Sequence, residues 1–198
     1  MGQLAVFTGD IVKSGSLDAA ALDAVIDALR AGARQISAWD GSDVAFARFR
    51  GDGWQMALPP ARALRAALVL QARVRALGAQ TRIGIGIGGA RLTGDELAAG
   101  EGPAFVASGH SLDALARPLL MAAPDGALSI ALPLADRIAQ GWTAKQAETV
   151  ALLLDTAPQT HAEVGRTLGR SRQMIQKQAD AAGVDALIAA CIAFESTA

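Results

Sequence analysis

Ala5-Val6-Phe7-Thr8-Gly9-Asp10-Ile11-Val12-Lys13-Ser14 is the stretch that organises the reading of the chain. Leu4–Phe7 is short, apolar and followed by Gly9, as a buried strand would be. The apolar run then ends on a carboxylate and passes into a Gly/Ser-rich turn. A strand built this way delivers one acid to the edge of a sheet, where a ligand or metal can reach it. A second acid has a similar setting at Gly51-Asp52-Gly53. Asp10 and Asp52 are therefore the first candidate pair.

Outward from that strand, Ser16 and the acidic turn at Asp18 predict a helix start. Leu22, Val25, Ile26, Leu29 and Ala33 carry it at 3.6-residue spacing to about Ile36. Val44–Phe49 and Trp54–Leu58 read as two strands of a hairpin, with Asp52 at its tip. Pro59-Pro60 stops the second strand. Leu64, Leu68, Ala72, Val74 and Leu77 outline a helix with arginines on its outer face, ended by Gly78. Thr81–Gly88 alternates isoleucine with glycine. One face of that strand belongs in a core, while the bare face invites close packing by a helix, a subunit or a flat ligand. Gly89–Glu101 reads as a polar connection and Gly102–Leu120 as a helix. Leu119–Ala123 and Leu128–Ala131, flanking Pro124-Asp125-Gly126, read as a last strand pair. The alternation predicts a mixed sheet with helices on one face.

Bulk properties fit this picture. A length of 198 residues suits one domain of ordinary size plus a small appendage. The hydrophobic fraction of 52% is rich in alanine and points to a helix-rich α/β chain. A net charge of −1 selects no class of partner, so charge has to be read locally. The single cysteine, Cys191, excludes an intramolecular disulfide and a cysteine metal cluster. No basic-then-apolar leader is apparent, and the longest apolar run, Ala186–Phe194, is about half of a membrane span. A cytoplasmic protein with no membrane partner is expected.

Beyond about Ile138 the pattern is wholly helical, which places a boundary near Gln140-Gly141. Thr143 can cap a helix reaching Leu154. The following stretch, Gln159 to Gln178, resembles a helix-turn-helix. Val164 and Leu168 point inward, and Gly165 lies at a close crossing. Gly169 makes the turn, Ser171 caps the second helix and Ile175 anchors it. From Val164 to Ala179 there are four basic residues, Arg166, Arg170, Arg172 and Lys177, and no acid. Arg172, Gln173 and Gln176 would project from the start of the second helix, where base edges are reached. The DNA-binding candidates are Gln159, Thr160, Arg170, Ser171, Arg172, Gln173, Gln176 and Lys177.

Three motifs now carry a family resemblance. Phe7-Thr8-Gly9-Asp10-Ile11-Val12, the tip Arg48-Phe49-Arg50-Gly51-Asp52, and Arg82-Ile83-Gly84-Ile85-Gly86-Ile87-Gly88 resemble, in order and spacing, the class III nucleotidyl cyclase domain over roughly residues 3–123. With Gly102-Pro103-Ala104-Phe105, the chain is most similar to small bacterial proteins of the SatD type, which join such a domain to a helix-turn-helix. The resemblance implies an α+β, ferredoxin-like mixed sheet over residues 1–140 and an all-helical DNA-binding domain over 141–198. It implies that Asp10 and Asp52 hold Mg or Mn against a nucleotide's phosphates, a role that hard carboxylate oxygens suit. It also places Thr8, Gly9, Ile11, Val12, Arg48 and Gly51 around the ligand. Arg48 stands where many cyclases carry a base-recognising lysine. The family's ribose-orienting asparagine and its transition-state arginine fall at Val106 and His110, and a slip of one residue gives Ala107 or Ser111. No register restores the pair, and loss of preorganised positive charge costs orders of magnitude in rate.

The expected function is a DNA-binding transcriptional regulator, with a degenerate cyclase-like domain that dimerises and senses a nucleotide. The alternative is an active nucleotidyl cyclase with an accessory helix-turn-helix. His110 and His161 read as packing or surface residues, and Trp39, Trp54 and Trp142 as core or interface anchors. Cys191 reads as buried, and the adjacent acids of Thr93-Gly94-Asp95-Glu96 as an ordinary turn.

Overall fold

The computed structural model describes residues 2–39, 44–49, 51–93 and 96–197. Its strands are β1 (Gly2–Ile11), β2 (Ala45–Arg48), β3 (Trp54–Leu58), β4 (Thr81–Thr93), β5 (Glu96–Glu101) and β6 (Met121–Ala122). Its helices are α1 (Ala19–Ser37), α2 (Ala63–Ala76), α3 (Pro103–Asp113), α4 (Gly126–Gln140), α5 (Ala144–Leu153), α6 (His161–Leu168), α7 (Arg172–Ala182) and α8 (Val184–Glu195). The sheet runs β2-β3-β1-β4-β5 with antiparallel neighbours, and β6 adds in parallel to β4. The fold is mixed α+β.

One face of β1 presents Ala5, Phe7 and Ile11 to α1 and α2 in the main core. The other face presents Val6 and Thr8, and here the structure departs from the expectation of helices on one side only. Helix α3 lies against the glycine row of β4. A side-chain carbon at Gly84 would collide with the backbone of Ser108 and Leu112, and one at Gly86 with the backbone of Ala104 and Ser108. Of the three candidate occupants of that bare face, a helix is the one found. Thr8 Oγ1 and Ser108 Oγ, 2.8 Å apart, tie β1 to α3 through the gap.

Several boundaries move. Helix α1 is capped by Asp18, whose carboxylate accepts from the Ala21 amide at 2.7 Å, rather than by Ser16. The polar segment from Gly89 onward is not a connection: it is the end of β4 followed by β5, whose backbone pairing does not depend on apolar side chains. Helix α3 stops at Asp113, well short of Leu120. Leu128–Ala131 is the first part of α4, not a strand, because a four-residue apolar run fits either period. Gly94 and Asp95 lie outside the described residues, as does Arg50.

Helix α2 is buried almost all round, because α5 packs on the side away from the sheet. Its arginines are therefore not on an outer face. Arg65 is buried and donates to Glu195 at the end of α8, Arg73 donates to Gln35, and Arg75 donates to the carbonyls of Gln140 and Trp142. Burial opposes the Arg65 charge, but the bonded Glu195 carboxylate, together with nearby charge that includes Asp155, holds the guanidinium above its ordinary value. One continuous apolar cluster runs from Phe7 through Leu68 to Val150, Ile175 and Cys191. Among the described residues, no helix is long and apolar enough to cross a membrane.

Candidate functional site

The end of β1 opens into a cleft of about 360 Å³ lined by Asp10, Ile11, Val12, Lys13, Asp52, Arg82, Leu115 and the segment Arg117–Leu120. The sheet itself builds it. β1 and β4 are antiparallel with Asp10 directly opposite Arg82, while the β2–β3 turn, made possible by Gly51 at φ 72°, carries Asp52 to the same end. Gly9 serves this geometry from behind, since any side chain there would strike the Trp54 indole. That indole donates to Thr81 Oγ1 at 3.0 Å, and Thr81 Oγ1 donates to the Asp10 carbonyl at 2.6 Å. The backbone under Asp10 is thus held by buried partners.

Asp10 itself is engaged. Arg82 Nε donates to one carboxylate oxygen at 2.9 Å and Nη2 donates to the other, a bidentate pair across the sheet. The Asp10 bond, ahead of the neighbouring charges of Asp113 and Asp52, holds the Arg82 guanidinium above its ordinary value. Both expected metal ligands share the cleft, but with three cations, Lys13, Arg82 and Arg117. Mg²⁺ takes one or two protein carboxylates and completes its shell with water and substrate phosphates. Here both Asp10 oxygens already accept from Arg82, and no group of three or more His, Cys, Asp or Glu side chains gathers among the described residues. A divalent ion held by Asp10 and Asp52 would have to displace Arg82 from the Asp10 carboxylate. The cleft's excess of positive donors suits an anion.

The remaining predicted ligand residues divide. Ile11 and Val12 line the cleft. Thr8 is taken up by Ser108 and by Gln55, and Gly9 by Trp54. Arg48 spans from the Gly51 carbonyl (3.0 Å) to Asp23 on α1 (2.7 Å), bracing the hairpin from the side. Val106 and His110 line a different groove, between α3 and Ala122–Asp125. Arg82, Lys13 and Arg117 were missed as cleft residues. Arg82 was within reach of sequence reasoning, because pairing Thr8 with Gly84 puts it opposite Asp10.

The second region is the α6–α7 pair. Thr160 caps α6 in a reciprocal box with Glu163, and Ser171 caps α7 through the Met174 amide. Gly169 adopts the left-handed conformation at φ 63°, and the absence of a side chain at Gly165 lets the Arg170 carbonyl approach, 2.6 Å from where a Cβ would lie. Ile175 and Val164 are fully buried. This leaves Arg172, Gln173, Gln176 and Lys177 exposed along α7. Three of the candidate contacts are otherwise engaged: Arg170 turns inward to Glu148 and the Lys145 carbonyl, and the Thr160 and Ser171 hydroxyls accept from cap amides, while Gln159 lines a cleft shared with Arg65.

No family model matches the chain, and no curated protein matches it. Among solved structures it is similar to one described as the structure of a bacterial light-regulated adenylyl cyclase. The identity is 17%, over 60% of this chain and 73% of that one, with a TM-score of 0.40.

Proposed function

We propose that the chain is a cytoplasmic, DNA-binding transcriptional regulator. Helices α6 and α7 act as a helix-turn-helix, and residues 1–140 form a degenerate, ferredoxin-like cyclase-type domain that pairs with a second copy and senses a nucleotide. The observation that carries the reading is the exposed row Arg172, Gln173, Gln176 and Lys177 on a helix whose cap, turn and anchor are all fixed. Arginine and glutamine suit bidentate contacts with guanine and adenine, and lysine suits phosphate. The net-positive cleft at Asp10 and Arg82 supports binding of a phosphate-bearing small molecule.

Anisotropy titrations against fragmented genomic DNA across a salt series test the reading. The double variant Arg172→Ala/Lys177→Ala is expected to lose roughly two orders of magnitude in affinity and to flatten the log–log salt slope by about 1, for the one phosphate contact of Lys177. Wild-type binding by that variant would remove α7 as the reading helix.

The second reading is an active nucleotidyl cyclase, favoured by Asp10 and Asp52 sharing one cleft. Against it stand the Arg82 pairing and the presence of valine and histidine, not asparagine and arginine, at Val106 and His110. Incubation with ATP or GTP and Mn²⁺ decides between them, with robust cyclic product favouring the enzyme.

A further inference from the structure

Asp10 and Arg82 satisfy one another, yet each is also the group that a different ligand of this cleft would take. The Asp10 oxygens are hard donors of the kind that suits Mg²⁺ or Mn²⁺, and Asp52 offers a second carboxylate at the same end of the sheet. The Arg82 guanidinium presents a planar fork of N–H donors that matches phosphate as well as carboxylate. The Arg82 side chain is 40% exposed and that of Asp10 24%, so water reaches both and either can exchange its partner. Their backbones stay put meanwhile. Thr81 Oγ1 holds the Asp10 carbonyl, and the β1–β4 register holds Arg82 opposite, so an exchange needs only side-chain rotation.

Charge decides which exchanges are favourable. Asp10 and Asp52 share the cleft with Lys13, Arg82 and Arg117. A divalent cation alone would evict Arg82 from Asp10 and leave three side-chain cations around a doubly charged ion. A polyphosphate alone would draw in those three cations, but it would lie against two carboxylates left bare when Arg82 departs. With both present, Asp10 and Asp52 face the cation, while the phosphates face the cation and the three basic side chains. Every charge then has a partner.

We infer that Arg82 is an exchange gate that makes divalent-cation binding and polyphosphate binding in this cleft mutually dependent. Without the anion, Arg82 occupies the oxygens that the cation needs. With it, Arg82 turns to the phosphates and releases Asp10. Coupling between two ligands is reciprocal, so each tightens the other by the same factor. The gate rests on the reading of the cleft as an anion site, and it narrows the ligand from any phosphate-bearing molecule to a metal-complexed polyphosphate.

Mn²⁺ and inorganic triphosphate are the probes for the full chain, with bound Mn²⁺ read by electron paramagnetic resonance and the anion by calorimetry. The wild type should bind the preformed one-to-one Mn²⁺–triphosphate complex about tenfold or more tightly than triphosphate alone. Arg82→Gln should gain about tenfold in affinity for Mn²⁺ alone, because Asp10 is no longer taken, and should bind triphosphate more weakly. Asp10→Asn should lose the preference for the complex while still binding the anion. ATP in place of triphosphate separates a nucleotide from an inorganic source, and the gate predicts the same metal dependence for both. Equal affinity of the wild type for free and complexed triphosphate would overturn the gate while leaving the anion site standing. Equal Mn²⁺ affinity in wild type and Arg82→Gln would overturn it too. A wild type that binds neither form of triphosphate would remove the anion-site reading itself, and the gate with it.

Discussion

At the end of β1, Asp10 and Arg82 face each other across the sheet and satisfy one another, whereas along α7 Arg172, Gln173, Gln176 and Lys177 all stand in water. Both regions are rich in charge, but in the first the central pair is already committed to itself. In the cleft a ligand must compete with an ion pair already formed, so its gain is the difference between two sets of contacts. On α7 a partner gains contacts that the chain does not make for itself. Charge in a sequence therefore says little until it is known which charges have already found each other.

The largest disturbance of this contrast removes the support of the cleft while leaving its charges alone. Gly84→Val drives a side chain into the backbone of α3, and a stability loss of about 3 kcal/mol is expected in urea melts. A melt close to wild type would mean that α3 does not seat on β4. Next is Arg170→Ala, which lies within the basic run yet bonds inward to Glu148 and Lys145. It should cost about 2 kcal/mol of stability while leaving the DNA salt slope of the folded protein at its wild-type value. A flatter slope would move Arg170 to the DNA-facing set.

Smaller still is Asp10→Asn. Its ion pair is partly exposed, so solvent screening holds the stability cost to about 1 kcal/mol or less. Affinity for inorganic triphosphate, followed by calorimetry, should rise as Arg82 is released. Unchanged affinity would mean that the cleft is not an anion site.

A buried acid outside both regions makes stability depend on pH. Asp136 is fully buried and accepts from the Leu120 amide and from Gln140, while its second oxygen finds no hydrogen-bond partner among the described residues. Burial pushes its carboxyl above the ordinary carboxylate range, and those bonds only partly pull it back. A raised folded-state value means that its favourable contribution is complete below the ordinary carboxylate pKa and is lost as pH rises through the raised one. Urea midpoints of Asp136→Asn should therefore improve relative to wild type on going from acid to neutral pH. A pH-independent difference would place the proton elsewhere.

Much of the fold was legible because periodicity and turn chemistry are local. The β2–β3 hairpin, α1, α2 and the capped pair α6–α7 follow from apolar spacing, Gly169 and Ser171. β5 was not legible, because a strand of Leu97, Ala98, Ala99 and Gly100 between acids has neither alternation nor β-branched residues. Nor was the engagement of the α2 arginines, since an arginine facing solvent and one donating to a helix carboxylate 130 residues away look alike in a list of letters.

By itself, the sequence determined where backbone had to be bare, where helices begin, and which residues could carry charge to a given end. Gly84 and Gly86, Thr160 and Ser171 do their work within a few residues or one strand spacing. Only the tertiary structure decided which of those charges remain free. Asp10 is matched because antiparallel pairing sets Arg82 beside it, Arg170 because α5 passes beneath it, and Arg65 because α8 ends against it. Those partners are distant in the chain, and long-range electrostatic pairing depends on the distances that folding creates.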